Sequence, residues 1–381
     1  MMEEPDLFTP LSIGKLTLPN RILMAPMTRG RADAHGSPTK PMETYYSDRA
    51  DSGLLISEGI CVSPAARGWA GAPGLYEPAH IAGWQRITDA VHANGGRIFA
   101  QLWYLGRVSH PVFLSGATPW APSPIAANGH VHAPDGTLVS CVTPHEMSIE
   151  NIQSVISDFA VAAKSAIEAG FDGVQIHGAN GYLPDQFLRD KTNHRSDEYG
   201  GSARNRSRLI LEIAEACCLA IGAERVSVRL STRNQYNDID DSDPATTFGT
   251  VSKGLAQFGL SFLEVVEGLP GNFLYVPGEP LLGDLKRSFG GVLVANAGYD
   301  GASATAAIRR GDADAVSFGV PYLANPDLVE RLKTGAPLNA ADPETFYSPG
   351  EPGYLTYPRL SKVVPPADKQ RQFSLEEASR H

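Results

Sequence analysis

Short apolar runs alternate along the chain with longer stretches whose apolar residues fall three and four apart. The short runs predict eight strands, near Ile22–Ala25, Leu54–Ser57, Ile98–Leu102, Val174–His177, Val226–Leu230, Phe262–Val266, Val292–Ala295 and Ala315–Phe318. The clearest helix is about Ser148–Ala169, where Ile152, Val155, Phe159, Ala163 and Ala166 form one stripe. Ser148 can cap its start, and Gly170 stops it. A second helix spans about Ala203–Ile221, with Leu209, Ile213, Cys217 and Ala220 on one side. Strand, helix, strand in this order is the rhythm of β/α units and a parallel sheet. Eight units predict an α/β chain folded as a single (β/α)8 TIM barrel. An open dinucleotide-binding sheet would place GxGxxG after its first strand, and none is there.

Two segments break the rhythm. Residues 104–146 are rich in Pro, Gly and His and too long for an ordinary loop, so they predict a capping excursion at the barrel mouth. A hairpin around Ile125–Val142 fits within it. The loop Glu267–Phe289, with GLPGNFLYVPGEP, is expected to border the entrance. The barrel then occupies residues 1–365, and the polar run at 366–381 reads as a loosely held tail.

Composition narrows the function classes. A chain of 381 residues with 42% hydrophobic residues and 38 glycines suits one globular domain. Its net charge of −10 argues against nucleic acid or an anionic membrane as partner. The start, MMEEPDLFTP, has no apolar core of a secretory signal. Cysteines at 61, 141, 217 and 218 lack zinc or redox spacing. Reduced thiols in a cytoplasmic protein are therefore expected, with no metal site.

Barrel enzymes gather chemistry at the carboxyl ends of their strands. Side chains alternate faces, so Ile98, Ala100 and Leu102 on one side leave Gln101 and Trp103 on the other. By the same parity His177 and Arg229 face the lumen. An amide, an indole, an imidazole and a guanidinium are poor filler for a core that usually takes Val, Ile and Leu. A lone lumen His is more often a satisfied structural residue than a catalytic one, and Arg229 could serve an internal ion pair. The run after His177 changes that balance. Asn180 and Tyr182 follow on the loop, so two neutral donors and a phenol converge, as binding a carbonyl oxygen and delivering a proton beside it requires.

The stretch HGANGYLPDQFL, followed by NHRSDEYGGSARNR, resembles the old yellow enzyme family of FMN-dependent ene-reductases. The resemblance runs from near Leu7 to about Pro358, and is nearest in general terms to bacterial N-ethylmaleimide and nitrate-ester reductases. It implies that His177 and Asn180 hold the substrate carbonyl and that Tyr182 supplies a proton. FMN is implied as cofactor, with NADPH or NADH as hydride donor and small activated alkenes as substrates. APMTRGRA resembles the family's flavin segment, which puts Pro26, Met27 and Thr28 against the ring. Gly59 falls where only backbone can approach, Gln101 at the pyrimidine edge, and Arg229 where reduced flavin carries charge. The phosphate end falls at Ala297, Gly298, Gly319 and Val320. There the chain departs from the family's Phe-Gly-Arg pattern, because position 320 is Val. Trp103 and Tyr354 fall at substrate-contacting positions.

Rival readings are a metal-dependent or Schiff-base barrel, a flavin-binding sensor or store, and a larger relative carrying an iron–sulfur cluster. The first has neither an HxH pair after strand one nor a strand-end Lys, and the last has no clustered cysteines. The sensor differs from the enzyme only in turnover.

Overall fold

The computed structural model describes residues 4–360, so the expected tail at 366–381 lies outside the described residues. Eight parallel strands close a barrel. They are β1 Ile22–Met24, β2 Leu54–Cys61, β3 Ile98–Trp103, β4 Gly173–Gly178, β5 Val226–Ser231, β6 Phe262–Val266, β7 Leu293–Asn296 and β8 Ala315–Phe318. Each expected strand is present within a residue or two at most ends. The exception is β2, which continues through Gly59 to Cys61 because a register shift between Ile56 and Gly59 carries the pairing past the polar Ser-Glu-Gly run.

The parity reading holds. Ala100, Leu102, Val174, Ile176, Val228 and Leu230 join the outer core against the helices. The lumen floor is a separate apolar cluster that includes Leu23, Ile56, Phe99 and Phe262. A hairpin of Leu11–Ile13 and Leu16–Leu18 brings Ile13 and Leu18 onto that cluster and plugs the amino-terminal end. Above the floor the register sets polar residues side by side: Gln175 beside Gln101, His177 beside Arg229, and Arg229 beside Glu264.

The helix Ile149–Glu168 starts at a Ser148 cap, whose Oγ accepts from the Asn151 N–H at 3.2 Å. The second expected helix is two, Ala203–Arg206 and Arg208–Ile221. The expected loop Glu267–Phe289 ends in a helix, Leu282–Phe289, whose apolar face of Leu282, Leu285 and Phe289 is buried. The Glu267 carboxylate accepts from the Leu281 and Leu282 N–H groups at its start, at 2.9 and 3.0 Å.

The excursion contains the hairpin His130–His132 with Leu138–Ser140. It flanks the mouth and contributes no residue between 104 and 146 to the main cavity's lining. Its anchor is Arg107, which donates to the carbonyls of Ile125 at 3.3 Å and Asn237 at 3.1 Å. The segment thus braces the loop after β5.

Candidate active site

A cavity of about 530 Å³ opens at the carboxyl ends of the strands. That size is ordinary for a cofactor or substrate site. β3 supplies Gln101 and Trp103, β4 supplies His177, β5 supplies Arg229, and the loop after β4 supplies Asn180 and Tyr182. Pro26, Met27 and Thr28 line it after β1, and Ala297, Gly298, Gly319 and Val320 line it after β7 and β8. Thirteen of the fifteen sequence-predicted positions therefore meet in one volume.

The turn carrying Asn180 is held by buried charge. Asn180 and Gly181 both have positive φ, 58° and 78°. The Asn180 N–H donates to Ser231 Oγ at 2.8 Å, and the Gly181 N–H donates to Asp185 Oδ2 at 3.0 Å. Asp185 is itself paired with Arg189 at 2.7 Å, both fully buried. Satisfying these N–H groups offsets the cost of the left-handed backbone. On the side-chain end, Asn234 donates its amide to Asn180 Oδ1 at 3.1 Å.

The cavity floor is one hydrogen-bonded network. Gln101 Nε2 donates to Gln175 Oε1 at 2.9 Å, and Gln175 Nε2 donates to Glu264 Oε2 at 2.6 Å. Glu264 Oε1 accepts from Arg229 Nε at 3.2 Å and Ser317 Oγ at 2.7 Å. Arg229 Nη2 donates to Asn296 Oδ1 at 2.8 Å, and Asn296 returns its amide to the Ser317 carbonyl at 2.9 Å. Arg229 thus makes an internal ion pair and faces the cavity as well. It is the only charged side chain among the described lining residues.

Burial, and secondarily the Arg229 guanidinium, pushes the His177 imidazole well below its usual pKa, so it is neutral near pH 7. Its Nδ1 is buried without a partner, as is Trp103 Nε1. Unsatisfied buried groups facing a cavity are what a bound molecule supplies partners for. Tyr182 packs edge-on to Trp103 at 4.9 Å and lies 5.0 Å from the His177 ring. Burial raises its hydroxyl far above the ordinary phenol, reinforced by Tyr236 and opposed by the Asn237 amide. It keeps its proton.

Two expected positions do not reach the cavity. Gly59 lies beneath the Trp103 indole, and a Cβ there would fall 2.6 Å from that ring. Its missing side chain seats Trp103. Tyr354 is buried in a separate stack, 4.3 Å from the Tyr45 ring and under Arg31 at 4.7 Å. Phe346 and Tyr347 of the same closing segment line the cavity in its place. Sequence reasoning also missed Trp69, Tyr236 and Phe273, which give the mouth an aromatic rim. Trp69 meets Tyr347 at 5.2 Å and Tyr236 meets Phe273 at 6.5 Å.

The NADH:flavin oxidoreductase / NADH oxidase family matches residues 6–339, which is most of the chain. The chain belongs to that family. It is 42% identical to a probable flavin mononucleotide-dependent alkene reductase of Leishmania infantum, covering 92% of this chain and 96% of the relative. The old yellow enzyme homologue of Zymomonas mobilis superposes with a TM-score of 0.91 at 42% identity, covering 93% and 99% of the two chains. Morphinone reductase in complex with tetrahydroNAD superposes with a TM-score of 0.89 at 41% identity, covering 94% and 98%. The protein is an old yellow enzyme homologue with FMN as its cofactor and a TIM barrel as its scaffold. Its cavity fits the group: a deep guanidinium, a cavity-facing amide and unpartnered ring nitrogens at one end, and glycine-bordered backbone at the other. No helix among the described residues is long and apolar enough to cross a membrane.

Proposed function

We propose that the protein reduces the activated C=C bond of α,β-unsaturated carbonyls, nitroalkenes or maleimides, with NADH or NADPH as donor. What supports this most directly is the convergence of neutral His177, Asn180 and protonated Tyr182 on one cavity wall. FMN, when bound, would supply the hydride chemistry between the nicotinamide and the substrate's β-carbon.

The chain's own residues do the rest. Arg229 and Gln101 would hold the flavin ring's polar edge, with Pro26, Met27 and Thr28 along it and residues 297–298 and 319–320 toward the phosphate. With its oxygen taken by Asn234, Asn180 has its NH2 left to donate. His177, neutral, supplies one N–H. These two donors bind the acceptor oxygen and stabilise the charge that develops there as hydride arrives. Tyr182 gives its proton to the α-carbon, so one hydride and one proton saturate the bond. Trp103 forms part of the substrate wall. Donor and alkene share one site in turn, which gives ping-pong kinetics.

The rival reading is a flavin-binding sensor with the same cavity. Purified protein should be yellow, release FMN on denaturation, and reduce cyclohexenone with a nicotinamide donor. A yellow protein reduced by NADH or NADPH that then fails with cyclohexenone, a nitroalkene and a maleimide alike supports the sensor instead.

A further inference from the structure

The floor network contains a carboxylate that does not line the cavity. Glu264 is fully buried, and each of its oxygens is bonded by named donors: Arg229 Nε and Ser317 Oγ on one, Gln175 Nε2 on the other. A carboxylate has acceptors only, so every neighbour must donate to it. This fixes amide orientations two residues away. Gln175 turns its NH2 to Glu264 and its oxygen to Gln101, and Gln101 must answer with its own NH2. What Gln101 then shows the cavity is its oxygen, which has no partner among the described residues.

We propose that Glu264 is a positioning residue for the cofactor. It makes Gln101 a hydrogen-bond acceptor toward the flavin ring and offsets the charge of Arg229 beneath it. The inference rests on the flavin reading above. A flavin's pyrimidine edge carries one N–H between two carbonyls, so an acceptor facing that edge pairs with the N–H. Replacing the carboxylate by an amide removes the instruction. In Glu264→Gln the oxygen can keep Arg229 and Ser317, which sets an NH2 against the Gln175 NH2. Gln175 flips, Gln101 flips after it, and a donor then confronts the flavin N–H. The same change removes a negative charge beside Arg229, which favours the anionic reduced ring.

The test uses purified apoprotein, FMN and N3-methyl-FMN, with dissociation constants read by fluorescence quenching. Wild-type protein should prefer FMN strongly over the methylated ring. Glu264→Gln should bind FMN about tenfold more weakly, the size of one hydrogen bond, and lose most of that preference. Its bound flavin should show a higher midpoint potential than wild type. Gln175→Leu cuts the relay while leaving Glu264 and Arg229 in place. Its Gln101 amide is free to turn, so part of the preference should go with the potential unmoved, and this variant decides the matter alone if Glu264→Gln does not fold. A wild-type preference for FMN in either folded variant overturns the inference. Wild-type protein that takes up no FMN overturns the flavin reading itself, and this inference with it.

Discussion

Asn234 donates its side-chain amide to Oδ1 of Asn180 at 3.1 Å, and this single bond determines which end of the Asn180 amide is left to act. An amide free to rotate presents oxygen or NH2 by turns, and only the NH2 can bind a substrate oxygen. The backbone on either side is fixed independently. Ser231 accepts the Asn180 N–H, and Asn237 donates to the Asn180 carbonyl at 2.8 Å. Toward Asn180, Asn234 therefore sets the side chain's direction, while its own Oδ1 accepts the Tyr236 N–H at 3.2 Å.

Asn234→Ala should leave folding and flavin content intact and lower kcat/KM for an enone by about tenfold, the worth of one oriented hydrogen bond. Asn234→Asp keeps an acceptor where a donor is needed. It should invert the Asn180 amide and be more damaging than the alanine variant. Steady-state kinetics with cyclohexenone distinguishes them, and equal activities would remove Asn234 from the site.

The pair Arg189–Asp185 supports the same turn from below. Arg189 also donates to the carbonyls of Thr232, at 3.1 Å, and Ser231. Arg189→Met strands a buried carboxylate, which typically costs about 3–5 kcal/mol. A large fall in urea midpoint is expected, partly recovered when Asp185→Leu is added. No recovery in the double variant would mean that the packing, not the charge, was lost.

Much of this site was legible because strand parity is a strong rule. Alternation alone puts Gln101, His177 and Arg229 in the lumen, and the register confirms their neighbours. Glu264 carried the same signal, a carboxylate in Phe-Leu-Glu-Val-Val on the parity of Phe262, and could have been found by it. Tyr354 could not be placed by such means. Phe346, Tyr347 and Tyr354 lie on an irregular segment without a period, and which ring turns inward depends on Arg29 and Arg31, more than 300 residues earlier in the chain. At Gly59, where only backbone can approach a ligand, the side-chain space is taken by the Trp103 indole.

The lowered pKa of His177 has two consequences with the same sign. Its folded value lies below the ordinary histidine value near 6.5, so the unfolded chain binds the proton first. Stability from this group is complete above the unfolded value and declines as pH falls below it toward the folded one. Enone reduction should show no histidine titration between about pH 6 and 8. His177→Asn should flatten the acid limb of the stability curve, measured by urea melts from pH 7 downward. An unchanged limb would assign acid sensitivity to other groups.

Val320 stands at the carboxyl end of β8, 45% exposed and bordering the cavity. With Arg229 committed to the floor network, the described lining residues offer no second charge for a phosphate. Val320→Arg should tighten FMN binding by about tenfold, less than a fully desolvated charge-assisted bond because of the exposure. The gain should shrink as salt rises. Titrating apoprotein with riboflavin as well provides the control, since riboflavin lacks the phosphate and should gain nothing.

The role of Tyr182 separates the two half-reactions. It is assigned only to the proton, and burial keeps its hydroxyl protonated at every physiological pH. Reduction of the flavin by a nicotinamide protonates no substrate carbon, so Tyr182→Phe should leave that step near wild type in stopped flow. Alkene reduction should slow by ~10²–10⁴, the usual range for a positioned acid. The loss should be smallest for nitroalkenes, whose anions are stable enough to take a proton from water. Shape offers the competing account, because Tyr182 packs on both Trp103 and His177. Phenylalanine preserves that packing, so damage shared equally by both half-reactions would mean that the hydroxyl orders the pocket and that the proton comes from elsewhere.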